Sequence, residues 1–225
     1  MNGDLIIVDD VTEAFSERVV AAFRDRPNDE FTIALSGGNT ARRCYERLAT
    51  TAADAIDWWK VDIYWGDERA VPLNHPDSNY RLAREALLEQ VGAANMVYPM
   101  ECERGADAYH LRIGDVGTLD VVHLGLGPDG HTASLFAGSP ALDADPGRLV
   151  VMNHDPTGAN PYERMTFTFS GIARSRLAVV TVSGAEVSEA MAAVARGDDV
   201  PASRLDAPNL VWLVDRDAAS LLDPA

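Results

Sequence analysis

An apolar run that ends in a glycine-rich loop constrains this chain more than any other segment. The run includes Val121, Val122 and Leu124, and a loop with three glycines follows it. Such a run is typical of a strand that is buried on both faces of a parallel sheet. Open α/β sheets bind ligands where a strand ends and the next loop begins, so this loop is expected to line a ligand crevice. His131 comes directly after the last glycine, which places an imidazole that can move a proton near neutral pH at the crevice.

Strand-like and helix-like runs alternate along the chain. The predicted strands cover residues 5–8, 31–35, 61–65, 119–126, 149–153, 165–169, 177–182 and 210–214. The predicted helices cover residues 11–23, 41–48, 79–91, 106–113 and 185–195, with Asp10 or Thr12 capping the first and Ser78 the third. Residues 66–77 are predicted to form a long polar loop. This alternation predicts an α/β protein with a mostly parallel sheet covered by helices on both faces. No linker, low-complexity segment or repeat interrupts the 225 residues, so a single domain over residues 1–225 is expected.

Charge and composition exclude several kinds of partner. The formal net charge of −16 argues against binding to nucleic acid or anionic membranes, and no apolar run is long enough to span a bilayer. Lys60 is the only lysine, so a Schiff base or a lysine phosphate clamp would depend on it. Cys44 and Cys102 fit neither a disulfide framework nor a metal spacing. With no signal-peptide pattern at the start, they are expected to be buried, reduced thiols of a cytoplasmic protein.

A turn of small residues follows the second predicted strand. It contains Ser36, Gly37, Gly38, Asn39 and Thr40. Backbone N–H groups at a helix N-terminus bind phosphate, and glycines let the backbone approach a ligand closely. An ordinary strand-to-helix turn with a threonine cap explains the same residues. A third interpretation is a nucleophile elbow, with Ser36 as the nucleophile and His131 as its base, but too little structure precedes Ser36 for a hydrolase of that layout.

Two further segments also allow more than one interpretation. Residues 125–130 carry the glycine spacing of a dinucleotide-binding loop, but Gly138 and Pro140 are expected to end the following helix after about two turns. NAD binding is therefore not expected. Arg69 follows a predicted strand, where it would hold a phosphate or carboxylate, or form a surface ion pair.

The other histidines show no paired metal spacing. His123 is expected to be a hydrogen-bonded residue inside its strand. The remaining three are expected to be exposed to solvent: His75, His110 and His154.

Taken together, these segments resemble the 6-phosphogluconolactonase family. The resemblance rests on residues 35–40, on 65–72 with 77–79, and on 125–136, the most specific block; weaker matches follow at 161–166 and 182–185. It implies a Rossmann-like three-layer α/β fold. It also implies a cytosolic hydrolase of the pentose phosphate pathway that needs no metal or cofactor and opens 6-phospho-D-glucono-1,5-lactone to 6-phosphogluconate.

The resemblance also implies residue roles. His131 would be the general base. The chemistry of a carboxylate two residues before it, and not the resemblance, assigns Asp129 to orient the imidazole or the attacking water. The expected substrate contacts are Ser36, Gly37, Gly38, Asn39, Thr40, Asp67, Arg69, Asn79, Gly127, Gly130 and Arg164. One departure from the family pattern matters. Family members usually carry a phosphate-binding lysine where this chain has residues 185–187, so here arginine would have to supply that contact with the phosphate. Ala41 stands where many members have proline, which has little consequence because alanine also starts helices well.

Two alternatives to this function are an enzyme of the same superfamily and a protein of another functional class. Glucosamine-6-phosphate deaminases share the Asp-Gly-His run, but theirs continues Ile-Ala-Phe-Asn-Glu-Pro, whereas here Thr132 and Ala133 follow His131. A non-catalytic sugar-phosphate sensor would need a DNA-binding segment, for which there is no basic helix-turn-helix. In each case the partner is a small sugar phosphate, and the protein is expected to be a monomer or a small homo-oligomer.

Overall fold

A computed structural model describes residues 1–222, in which ten strands form two sheets. The larger sheet contains seven parallel strands in the order β1-β10-β9-β6-β2-β3-β5. Their bounds are β1 Asp4–Val8, β2 Phe31–Leu35, β3 Val61–Trp65, β5 Met96–Val97, β6 Leu119–Gly125, β9 Ser175–Val182 and β10 Leu210–Asp215. The central strands are buried on both faces, as their continuous apolar sequences predict. The expected domain over residues 1–225 extends past this described part at residues 223–225.

Helices cover both faces of this sheet. They are α1 Val11–Arg24, α2 Asn39–Thr51, α3 Asn79–Ala83, α4 Glu89–Val91, α5 Ala106–Val116, α6 Phe169–Ala173 and α7 Ser188–Arg196. A π-helical turn joins α3 to α4, so the predicted helix over 79–91 is confirmed as one nearly continuous element. Right-handed crossovers that run in opposite directions along the strand order place α1 and α2 on one face and α5 and α7 on the other. The predicted α/β fold is therefore confirmed. No helix in residues 1–222 is long and apolar enough to cross a membrane.

The strand order places the carboxyl ends of β2 and β6 side by side at the centre of the sheet. From β2 the chain continues to β3, whereas from β6 it continues towards β9, on the opposite side. Such a reversal of direction opens a crevice between the two loops. The turn of small residues after β2 and the glycine-rich loop after β6 therefore meet at this point.

A second, antiparallel sheet corrects the prediction for residues 66–77. It has the order β4-β8-β7, with β4 Asp67–Arg69, β8 Arg164–Phe167 and β7 Val150–Asn153. The segment predicted as a loop therefore contains a strand. Its three polar residues carry no period-2 apolar signal, and only pairing with β8, about a hundred residues later, makes them a strand.

Smaller differences have local causes. The short helix expected after Gly130 does not form, because residues 126–139 fold into turns that are closed by a bridge between Thr132 and Leu135. Asp10, not Thr12, caps α1 by accepting from two backbone N–H groups. The two-residue strand β5 and the short helix α6 were too short to be predicted from periodicity.

The histidine predictions were partly right. His123 is fully buried and hydrogen-bonded, and His154 is exposed, as expected. His75 and His110 are only half exposed, because each accepts a backbone hydrogen bond at Nδ1. Both cysteines are buried and free, as predicted.

Candidate active site

A pocket of about 200 Å³ lies at the carboxyl ends of β2 and β6. It brings together nine of the predicted site residues: Ser36, Gly37, Gly38, Asp67, Arg69, Asn79, Gly127, His131 and Arg164. These residues come from segments between positions 36 and 164 that only the fold unites.

The loop after β2, Ser36–Gly38 (below, the phosphate loop), leaves the N-terminus of α2 open. Gly38 occupies the N-cap position with φ 94°, a conformation that favours glycine, and no side chain caps the helix. The first turn of α2 carries no acidic residue, whereas α1 is capped by Asp10. Free N–H groups and the positive end of the helix dipole therefore face this end of the sheet. This arrangement suits a bound anion.

Gly37 is required by its contact with Asn79. A Cβ at position 37 would lie 1.8 Å from Asn79 Oδ1. Asn79 is buried at the start of α3, and its Nδ2 donates to the backbone oxygen of Asp67 at 2.9 Å and to its Oδ1 at 3.2 Å. The phosphate loop, α3 and β4 are thus held against one another at the pocket wall.

Successive side chains of β4 point to opposite faces, so its two acidic residues have different surroundings. Asp67 and Arg69 line the pocket, whereas Glu68 points away from it. The Glu68 carboxylate accepts from the backbone N–H groups of Asn79 and Tyr80 and so caps α3. Burial raises the pKa of the Glu68 carboxyl above its ordinary value, against the effect of these hydrogen bonds.

Two arginines give the pocket its positive charge. Arg69 and Arg164 are directly opposite each other in the ladder between β4 and β8. Arg164 is only 5% exposed, and its Nε has no hydrogen-bond partner. Within residues 1–222, neither guanidinium lies within 4.0 Å of a carboxylate oxygen. Burial lowers the pKa of the Arg164 guanidinium, although arginine remains protonated in proteins. A buried cation without a direct ion pair is costly, so Arg164, with the half-buried Arg69 opposite it, favours an anionic ligand.

His131 is held by a carboxylate. Its Nδ1 lies 2.5 Å from Asp129 Oδ1, and Asp129 also accepts from the His131 backbone N–H. The hydrogen bond from His131 lowers the pKa of Asp129. A Cβ at Gly127 would lie 2.2 Å from the His131 ring, so the glycine makes room for the imidazole. An ionised carboxylate only accepts hydrogen bonds, so Nδ1 carries the proton and Nε2 is left as the basic nitrogen.

Ala133 is a strained residue in the pocket wall. Its φ of 49° makes it the one non-glycine residue with positive φ in the described part of the chain. Its neighbours hold it there: the Thr132 hydroxyl donates to Gly125 O at 2.9 Å, and the Ser134 hydroxyl donates to Asp67 Oδ2 at 2.8 Å. Strain of this kind persists where the surroundings over-determine the backbone, often at functional sites.

Some predicted residues lie outside the pocket lining. Asn39 and Thr40 belong to the first turn of α2, and Asp129 reaches the site through His131. Gly130 faces Val200 instead, since a Cβ there would lie 2.7 Å from the Val200 Cβ. The residues 185–187, where the family lysine is absent, form a 3₁₀ turn that also does not line the pocket.

Sequence reasoning missed four lining residues: Gly125, Leu126, Ala133 and Asn160. The first three lie within or beside the predicted loop and could have been included. Asn160 has no motif signal, because it reaches the site from a loop whose shape depends on Asp155, which accepts from its backbone N–H and its side-chain amide. Those residues that the structure describes contain no cluster of three or more His, Cys, Asp or Glu side chains suited to a metal ion.

The fold and the pocket define an α/β protein with an uncapped helix N-terminus and a carboxylate-oriented histidine at its topological switch point. Residues 6–212 match the family described as glucosamine-6-phosphate isomerases/6-phosphogluconolactonase. The chain therefore belongs to this family.

Individual relatives agree with this assignment. The 6-phosphogluconolactonase of Synechocystis is 36% identical, over 97% of this chain and 95% of the relative. That of Mycobacterium tuberculosis is 37% identical, over 84% of each chain. The solved structure of 6-phosphogluconolactonase from Thermotoga maritima superposes with a TM-score of 0.82 at 25% identity, covering 96% of this chain and all of the other.

Proposed function

We propose that this protein hydrolyses 6-phospho-D-glucono-1,5-lactone to 6-phosphogluconate, with His131 as the general base. The observation that carries the proposal is one pocket that combines a carboxylate-oriented imidazole, two arginines without a direct ion pair and an uncapped helix N-terminus. The relatives named above bear the same activity in their names. The step belongs to the pentose phosphate pathway, and buried free thiols fit a cytoplasmic location.

The phosphate is expected to bind the phosphate loop, Arg69 and Arg164. A chain of net charge −16 repels a dianion at long range, so it must concentrate positive potential locally. Arg69 also donates through Nη1 to the Asp77 backbone oxygen at 2.7 Å, which fixes the position of its side chain. Binding the phosphate at a distance from the reacting carbon orients the lactone, and orientation contributes to the rate.

The reaction needs one base and one bound water. His131 Nε2 takes a proton from the water as its oxygen attacks the lactone carbonyl carbon. Asp129 stabilises the imidazolium that forms, because its carboxylate lies against Nδ1. When the tetrahedral intermediate collapses, the bond between the carbonyl carbon and the ring oxygen breaks, and the imidazolium returns the proton to that oxygen. The product is the open-chain acid, and His131 returns to its neutral form.

A coupled assay tests this function. Freshly prepared 6-phospho-D-glucono-1,5-lactone is supplied with 6-phosphogluconate dehydrogenase and NADP, and spontaneous opening is subtracted. We expect turnover that is the same with and without EDTA. Loss of activity in EDTA that zinc or magnesium restores would contradict the metal-free mechanism. Ammonia release from glucosamine 6-phosphate, in place of lactone opening, would assign the chain to the deaminase branch of its family.

A further inference from the structure

We propose that Tyr45 and His123 form a positioning pair that fixes the phosphate loop relative to the strand leading to His131. The inference rests on the proposed function and adds to it two residues that touch no substrate. Tyr45 lies in α2 and His123 in β6, and both are fully buried.

Tyr45 holds both backbone groups of the first residue in the phosphate loop. Its hydroxyl accepts from the Ser36 N–H at 2.7 Å and lies 3.1 Å from the Ser36 backbone oxygen. A buried backbone group without a partner is costly. The tyrosine therefore determines how the peptide groups of the phosphate loop are oriented.

His123 connects this tyrosine to the centre of the sheet. Its Nδ1 lies 2.9 Å from the Tyr45 hydroxyl, and its Nε2 lies 2.9 Å from the Thr181 hydroxyl on β9. Burial lowers the pKa of His123 to about 3, so the ring is neutral, with one donor and one acceptor nitrogen. The Phe15 ring packs against it with centroids 4.2 Å apart.

The pair connects β2 to β6 at a level where the two strands are no longer paired with each other. The ladder between β2 and β6 consists of Ile33 opposite Val121 and Ala34 opposite Val122, whereas β6 stays paired with β9 as far as Gly125. The ladder between the two strands therefore ends before the pocket begins. The link from Ser36 through Tyr45 to His123 joins them beyond the end of the ladder, so the anion-binding and basic parts of the site keep a constant separation.

The test compares Tyr45→Phe with Tyr109→Phe. Tyr109 is a matched control, because its buried hydroxyl also accepts a strand-end N–H, that of Trp65 at 2.8 Å, but at the end of β3. For Tyr45→Phe we expect KM for the phosphorylated lactone and the inhibition constant of inorganic phosphate to rise by roughly 10-fold, with kcat within about 3-fold of the wild type. Tyr109→Phe is expected to lower the melting temperature similarly and to leave both constants unchanged.

Several results would overturn the proposal. They are an unchanged KM in Tyr45→Phe, an equal rise in both variants, or a loss confined to kcat. If Tyr45→Phe does not fold, His123→Leu and His123→Asn take its place. Asparagine keeps a polar atom near the Nδ1 position, so His123→Asn should retain phosphate affinity. His123→Leu removes that atom and should lose phosphate affinity. Equal phosphate affinity in these two variants would reject the pair. If the wild type opens no lactone, the proposed function fails, and phosphate binding measured by calorimetry still tests the positioning pair.

Discussion

Arg69 and Arg164 face each other across the antiparallel ladder of β4 and β8, with no carboxylate within 4.0 Å of either guanidinium in residues 1–222. Like charges directly opposite each other in a sheet are destabilising. The fold keeps this pair at the wall of its central pocket. The same two positive charges attract a dianion, and a dianion bound between the two side chains would relieve their repulsion.

Replacing Arg164 with methionine should therefore stabilise the fold and weaken phosphate binding. Removing a buried, unpaired charge is favourable, and each kcal/mol gained raises the melting temperature by about 2 to 4 °C in a domain of this size. Phosphate at a fixed concentration should raise the melting temperature of the wild type more than that of the variant. Thermal melts with and without phosphate measure both effects. Arg196→Met, at an exposed arginine paired with Asp198, is the control and should change neither. A less stable Arg164→Met protein would contradict the argument.

Replacing His131 with glutamine should lower kcat by roughly 10² to 10⁴-fold, the usual effect of losing a positioned general base. KM should change little, since the phosphate contacts remain. Steady-state kinetics with the phosphorylated lactone measure the change, and His154→Gln, at an exposed histidine outside the pocket, is the matched control. A His131→Gln variant with near wild-type kcat would reject the assignment of the base.

Replacing Ser36 with alanine distinguishes two interpretations of this residue, a phosphate contact and a catalytic nucleophile. If Ser36 only binds phosphate, kcat/KM should fall by roughly 10 to 150-fold, mainly through KM, because one hydrogen bond to a charged group is lost. If Ser36 is the nucleophile, kcat should collapse and a fluorophosphonate should label the wild type. We expect the binding outcome, since no hydrogen bond joins Ser36 to His131 in the described structure. An acyl-enzyme trapped on Ser36 would exclude direct attack by water.

The buried His123 should make stability depend on pH. The unfolded histidine binds a proton near pH 6.5, whereas the folded one stays neutral to about pH 3. Between these values the unfolded state binds more protons, so this contribution is fully present above pH 6.5 and is lost as the pH falls towards 3. The difference in unfolding free energy between the wild type and His123→Asn should change by up to about 1.4 kcal/mol per pH unit in that window. Urea titrations at several pH values measure it, and a pH-independent difference would show that His123 binds its proton equally well in the folded and unfolded states.

Ala133 should tolerate glycine better than valine. Positive φ is unstrained for glycine and strongly disfavoured for a β-branched residue. We expect Ala133→Gly to keep activity and stability near the wild-type level or above, and Ala133→Val to lower both. Melting temperatures and kcat/KM of the two variants provide the comparison. Equal behaviour would mean that the positive φ is not maintained in solution.

Much of the site was predictable from sequence, because each loop follows a strand with a strong local signal. Continuous apolar runs predicted β2, β3 and β6, and parallel strands bring their carboxyl ends to one edge. The small residues of the phosphate loop and the glycines around His131 then had to meet there. Local pattern and the known geometry of α/β sheets were sufficient for these residues.

The remaining features depend on partners that are distant in sequence. Asp67 and Arg69 share a face only because β4 pairs with β8, and Asn160 reaches the pocket only because Asp155 shapes its loop. The link from Ser36 through Tyr45 to His123 is likewise a tertiary contact, with no period or spacing that reports it. The sequence by itself determined the long helices, the strands of the central sheet other than β5, and the two loops that line the candidate site, since periodicity and glycine are local properties. Tertiary structure alone decided which side of each element faces the ligand, because pairing and burial depend on residues far apart in the chain.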